Sequence, residues 1–122
     1  MAAPNLVNVS SILGKTTAIT LSTSNQDVVT CAADKVLKIN SFIVSNIDGT
    51  NSADVTVFFQ DNSQSSTNFS LATTVAVPAD STLVVIGKDS PIYLEESDEI
   101  RGGASVAGDL EIVISYEELD DA

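Results

Sequence analysis

Apolar and polar residues alternate with a period of two along much of this chain, the spacing at which side chains leave a strand on opposite faces. The clearest run sets Phe69, Leu71, Thr73, Val75 and Val77 against Ser70, Ala72, Thr74 and Ala76. Ala53, Val55, Val57 and Phe59 stand in the same way against Asp54, Thr56, Phe58 and Gln60, and Leu110, Ile112, Ile114 and Tyr116 against Glu111, Val113 and Ser115. Each run predicts a half-buried strand. Further strands are expected around Leu6 to Val9, Thr16 to Ser22, Val28 to Cys31, Leu37 to Ile47, Thr82 to Ile86, Ile92 to Leu94 and Glu99 to Ala104. Between Leu37 and Ile47 the apolar phase slips, from Leu37 and Ile39 to Phe42 and Val44, as a bulge or burial of both faces would cause.

Turn chemistry punctuates these runs at Leu13-Gly14-Lys15, Ser24-Asn25-Gln26-Asp27, Asp48-Gly49-Thr50-Asn51, Pro78-Ala79-Asp80-Ser81 and Ala107-Gly108-Asp109. Signals this closely spaced argue for a sandwich or barrel over βαβ units, and no helix of ordinary length has a place. The polar run from Asp61 to Asn68 holds no apolar anchor and is expected to be an exposed, mobile hairpin tip. The expectation is one all-β domain over residues 1–122: an antiparallel β-sandwich of eight or nine strands, with a jelly roll among the forms it can take. A short N-terminal arm (about 1–9) and an acidic C-terminal tail (about 117–122) extend from it.

Composition sharpens this picture. The 43% hydrophobic fraction comes mainly from Val, Ile, Leu and Ala, with no Trp, four Phe and two Tyr, so the core is aliphatic and β-branched. Seventeen acidic residues against five basic ones give a net charge of −12, a field that repels phosphate backbones and anionic headgroups. Nucleic-acid and membrane partners are therefore disfavoured. The one cysteine, Cys31, cannot close an internal disulfide and reads as a small buried hydrophobe, consistent with synthesis in a reducing cytoplasm. The N-terminus has no basic start followed by an apolar run, so no export signal is expected, and no stretch is long enough to span a membrane.

Candidate chemistry is sparse. With no histidine, the usual general base and metal ligand are missing, and no enzyme activity is expected. The cluster Glu95-Glu96-Ser97-Asp98-Glu99 could in principle supply a carboxylate pair or calcium oxygens, but it lacks the spacing of a dedicated calcium loop and reads as a solvated acidic turn. No cofactor is expected. Gly102-Gly103 reads as a bulge or tight turn, and Glu117-Glu118 with Asp120-Asp121 could dock into a basic groove on a partner. Asn8-Val9-Ser10 and Asn68-Phe69-Ser70 match the glycosylation triplet and are taken as chance.

Two features read as assembly. Phe58 sits on the polar phase of its strand, where an aromatic ring needs cover. The segment containing Pro4, Leu6, Val7 and Val9 is apolar and close to the chain end, free to add a strand to a neighbour's sheet.

The segments Met1 to Asn5, Ser11 to Thr16, Lys38 to Ser41, Ser45 to Asp54, Val77 to Val85, Ile92 to Glu96, Ala107 to Ile112 and Ser115 to Glu118 resemble small virion structural proteins of tailed phages, above all those of marine cyanobacteria. This resemblance covers most of the chain and implies a β-sandwich found in virions, without enzyme activity. Within that class it points to a capsid decoration or cement protein that binds the major capsid protein or other virion subunits, often as a trimer. A neck, tail or baseplate subunit is the alternative within the class. A carbohydrate-binding adhesin module is the alternative outside it, disfavoured by the absence of Trp.

Overall fold

The computed structural model describes residues 6–121. Nine strands form: β1 (Val9–Thr20), β2 (Gln26–Thr30), β3 (Lys35–Asn46), β4 (Ala53–Asp61), β5 (Thr67–Val77), β6 (Thr82–Ile86), β7 (Ile92–Leu94), β8 (Glu99–Ala104) and β9 (Leu110–Asp121). A single 3-10 turn, Asn62–Gln64, joins β4 to β5. All pairings are antiparallel, in two sheets ordered β1-β9-β3-β6 and β2-β8-β4-β5, with β7 continuing the place of β6 along β3.

The pairings share one logic. β4 pairs β5, β3 pairs β6 and β7, β2 pairs β8, and β1 pairs β9. The chain is thus one long hairpin, turned at residues 62–64 and rolled so that alternate segments fall in opposite sheets. Rolling adds the contacts of β9 with β3 and of β8 with β4. This is jelly-roll topology, and it confirms the two-sheet sandwich expected from the alternation.

The inner faces interlock in cross-strand rows. Ile19, Ile112, Val44 and Leu83 form one row, and Thr17, Ile114, Phe42 and Ile86 the next. Val29, Ile100 and Phe59 oppose them from the other sheet, with Val55, Val57 and Val77. Among the described residues Phe42 is the only fully buried aromatic, Phe59 and Tyr116 pack partly buried against the core, and the other fully buried large side chains are aliphatic, as composition implied. Each fully buried Val, Leu, Ile or Phe contributes about 1.5–3 kcal/mol.

Several sequence expectations are corrected. Leu6 and Val7 lie in a turn before β1. Leu13-Gly14-Lys15 is strand and not a turn, because Gly14 sits opposite Glu117 within a ladder that the long β9 supports on both sides. The phase slip in β3 is a bulge: the β9 register shifts between Ile39 and Ser41, leaving Asn40 unpaired and restoring the inward phase at Phe42. The expected acidic tail is strand to Asp121. Three of its acids are held by neighbouring strands: Glu117 accepts a hydrogen bond from Asn40 Nδ2 at 3.3 Å, Glu118 pairs Lys15 at 3.0 Å, and Asp120 pairs Lys35 at 3.0 Å. Gly102-Gly103 is neither turn nor bulge but the middle of β8, where backbones approach too closely for side chains. A Cβ on Gly102 would lie 2.8 Å from Val57 Cγ1, and one on Gly103 2.8 Å from the Ser24 carbonyl oxygen.

The acidic turn is also not merely solvated. Asp98 is buried, accepting the N–H of Glu95 at 3.0 Å through one carboxylate oxygen and the N–H of Asn62 at 3.0 Å through the other. Its backbone carbonyl takes the Cys31 N–H, and Glu96 takes the Asp34 N–H at 3.0 Å. These carboxylates hold loops together at one end of the sandwich. Asn46, the other buried polar residue among those described, does the same at the β3–β4 turn, donating to the carbonyls of Asn51 and Val77 and accepting from Asp48 N–H.

Candidate interaction surfaces

The register fixes which side chains face away from the core. On the β1-β9-β3-β6 sheet, Ala18 pairs Val113, Val113 pairs Ile43, and Ile43 pairs Val84, so four apolar residues cross the whole outer face in one row. Ala18 is exposed, Val113 and Ile43 are half-buried, and Val84 is 60% exposed. The row on one side is Thr16, Ser115 and Ser41, and on the other Thr20, Glu111, Ser45 and Thr82. Thr16 and Ser115 hydroxyls meet at 3.2 Å, and those of Ser45 and Thr82 at 3.1 Å. Across these rows the one charged residue is Glu111, on a chain of net charge −12. An apolar band bordered by paired hydroxyls and nearly free of charge is suited to burial against another protein.

The segment entering this sheet is also apolar and exposed: Val7 is 94% and Leu6 48% exposed, and Ile12 and Leu13 of β1 project at about half exposure. β1 is an edge strand, with one row of backbone groups paired to β9. Val9 opens β1 and is half-buried, and Pro4 lies outside the described residues. Phe58 is not brought together with these residues. It lies on the outer face of the opposite sheet, in the row Asp27, Arg101, Phe58, Ser70. Its ring is half-buried, lining an open groove of about 320 Å³ with Thr23, Asn25, Asp54, Thr56, Thr74 and Ser105. A smaller apolar cleft, lined by Phe59, Phe69, Leu71, Ile92 and Tyr93, opens where β5 and β7 meet at the side of the sandwich.

Cys31 is buried, its thiol donating to the Lys35 carbonyl at 3.1 Å, and burial pushes its pKa up to about 11. It stays a protonated, inert thiol near neutral pH. No group of three or more potential metal-ligating His, Cys, Asp or Glu side chains occurs among the described residues.

No protein-family model and no curated protein matches the sequence. Solved structures share its fold. A chain from the endospore appendages of Bacillus, a family of disulfide-linked pili, matches 92% of this chain and 90% of its own at 13% identity, with a TM-score of 0.54. A chain from the acid-stable capsid of Helicobacter pylori bacteriophage KHP30 matches 93% of this chain and 91% of its own at 8% identity, with a TM-score of 0.52. At these identities the likeness is one of fold.

The apolar row could not be read from the sequence. Ala18, Ile43, Val84 and Val113 come from four separate strands, and only pairing register brings them into line.

Proposed function

We propose that this chain is a non-enzymatic structural subunit of a virus particle, and within that class a decoration or cement protein that binds and stabilises the capsid shell. The observation that carries this reading is the nearly uncharged apolar row across the β1-β9-β3-β6 sheet. On an acidic chain, it offers the face on which a partner can dock without burying unpaired charge. The partner is the major capsid protein or another virion subunit, with a homotrimer as the assembling unit. The apolar residues Leu6, Val7 and Val9 at the edge of the same sheet, together with Pro4 by its place in the sequence, are proposed to add to that contact. The fold shared with a phage capsid chain is compatible with this reading, as are the acidic surface and the resemblance of the sequence to small phage virion proteins. The protein then resides in the virion, contacts neither nucleic acid nor membrane, and needs no cofactor.

A neck, tail or baseplate position is the second reading. It is favoured by the fold shared with a subunit of a pilus, since a pilus is an assembly along an axis and not a closed shell. Cryo-electron microscopy of the particle that carries this protein separates the two. Density repeating at capsomer junctions, with the β1-β9-β3-β6 face turned to the shell, is the expected result. Density confined to the neck or tail would replace the cement role with the second reading, and absence from the particle would overturn both.

A further inference from the structure

The groove beside Phe58 belongs to the sheet opposite the proposed docking face, and the assembly role leaves it unused. Its floor is β4, where Asp54, Thr56 and Phe58 project outward at alternate positions, spanning about 13 Å at 3.3 Å per residue. One wall is the corner between β1 and β2, at Thr23 and Asn25, seated over Gly103. The other wall is Thr74 of β5, which holds a φ of +49°, in the left-handed region that a β-branched residue rarely enters. The Thr74 N–H donates to Thr56 Oγ1 at 2.9 Å, and the β4–β5 register shifts between Val55 and Val57. A strained residue locked by a neighbouring hydroxyl, at the edge of a groove, is a feature that function commonly explains.

The lining selects among ligands by elimination. The one cation beside the groove, Arg101, is taken up by Asp27, by Glu99 at 2.9 Å and by the Asn25 carbonyl at 3.3 Å, so an anionic ligand finds no counter-charge on an acidic chain. The sole carboxylate in the lining, Asp54, is too few oxygens of the right kind to hold a divalent cation. A wholly apolar ligand would bury the hydroxyls of Thr23 and Thr74, and would leave the O–H groups of Thr56 and Ser105, whose oxygens accept the N–H groups of Thr74 and Asp54, without an acceptor. What remains is an uncharged ligand rich in hydroxyls with one apolar face. From this geometry we propose that the groove binds a neutral carbohydrate of one or two sugar rings, with the C–H face of a ring against Phe58 and ring hydroxyls donating to the Asp54 carboxylate. The Asn25 side chain and the threonine hydroxyls complete the hydrogen-bonding set.

The test is titration of the ¹⁵N-labelled protein with maltose, lactose and diacetylchitobiose, following amide shifts. One of the three is expected to move the amides of Thr56, Thr74 and Gly103 with a millimolar Kd. Phe58→Ala and Asp54→Asn are each expected to weaken that binding about tenfold or more while leaving the remaining amide spectrum in place. No shift with any of the three sugars, or binding that survives Phe58→Ala, would overturn the proposal. So would shifts produced instead by a Ser/Thr-rich peptide, which would make the groove a peptide site. Phe58→Ala is expected to enter particles at the parental level, because the proposed docking face lies on the other sheet; a sharp loss of incorporation would make Phe58 part of the assembly contact and overturn the proposal.

Discussion

The carboxylate of Asp98 receives the backbone N–H of Asn62 at 3.0 Å, joining the tip of the long hairpin to a turn thirty-six residues further along the chain. The same side chain takes the Glu95 N–H, so one buried residue closes two loops. Asp98→Ala removes both acceptors at a buried position and leaves the amides of Asn62 and Glu95 without their carboxylate partner. A loss of about 2–4 kcal/mol in unfolding free energy is expected, measured by urea denaturation. A change below about 0.5 kcal/mol would show that water replaces the carboxylate without cost.

The glycine pair of β8 gives a second prediction. Gly102→Ala places a methyl group 2.8 Å from Val57 Cγ1 and 3.2 Å from the Thr56 carbonyl oxygen, forcing β4 and β8 apart. Destabilisation of about 1–3 kcal/mol is expected. Gly14→Ala is the control, since nothing lies within 4 Å of the added Cβ. Its thermal midpoint should match or exceed that of the parent protein.

Cys31 supplies a prediction in pH. Its folded pKa of about 11 stands above the ordinary 9.0, because burial disfavours the thiolate. The stability it contributes is fully present below pH 9 and is lost as the pH rises toward 11, by about 1.4 kcal/mol per unit over that window. Chemical denaturation at pH 8, 9 and 10 reads this slope, and Cys31→Ala should flatten it. An alkylating reagent at pH 8 should label the thiol only in denaturant.

At the acid end the signs reverse. Asp48 is held below its ordinary 3.8, first by the N–H of Thr50 and then that of Asn51. Asp61 is lowered by the side chains of Ser63 and Gln64. The stability they provide is present above about pH 4 and is lost as the pH falls through their lower folded values. Asp61→Asn should lessen the fall in thermal midpoint between pH 4 and pH 2; an identical fall in the variant would discount the hairpin-tip contacts.

The docking face can be tested apart from folding. Val84→Asp puts a charge at the β6 end of the apolar row at a side chain that is 60% exposed, so unfolding free energy should move by less than about 0.5 kcal/mol. Incorporation into particles should fall sharply. Incorporation at the parental level, read by quantitative gel analysis of purified virions, would exclude this row from the contact.

The strands legible from sequence were those whose alternation decides burial, as at Ala53 to Phe59 and Leu110 to Tyr116. Phe58 was likewise placed on an outward face by its phase. Gly14 misled because its strand is held by a partner over a hundred residues away, which local propensity does not register. Asp98 was hidden for a similar reason: a buried acceptor and a solvated acid look alike in sequence, and only the arrival of Asn62 and Glu95 distinguishes them. The two outer faces needed register as well as phase, so the apolar row and the groove emerged only with the fold.

The rolled hairpin also sets an order of events in time. Pairing β4 with β5 closes the shortest loop, while β3 with β6, β2 with β8 and β1 with β9 enclose progressively longer ones, each entropically harder to close than the last. Folding should therefore run slowly from the tip outward, with β1 the last strand to settle and the first to detach. In a native-state hydrogen-exchange experiment, β1 would trade its amides before any other long strand. The segment that carries the apolar arm would then be the one a subunit could release and re-seat on a neighbour without unfolding the rest.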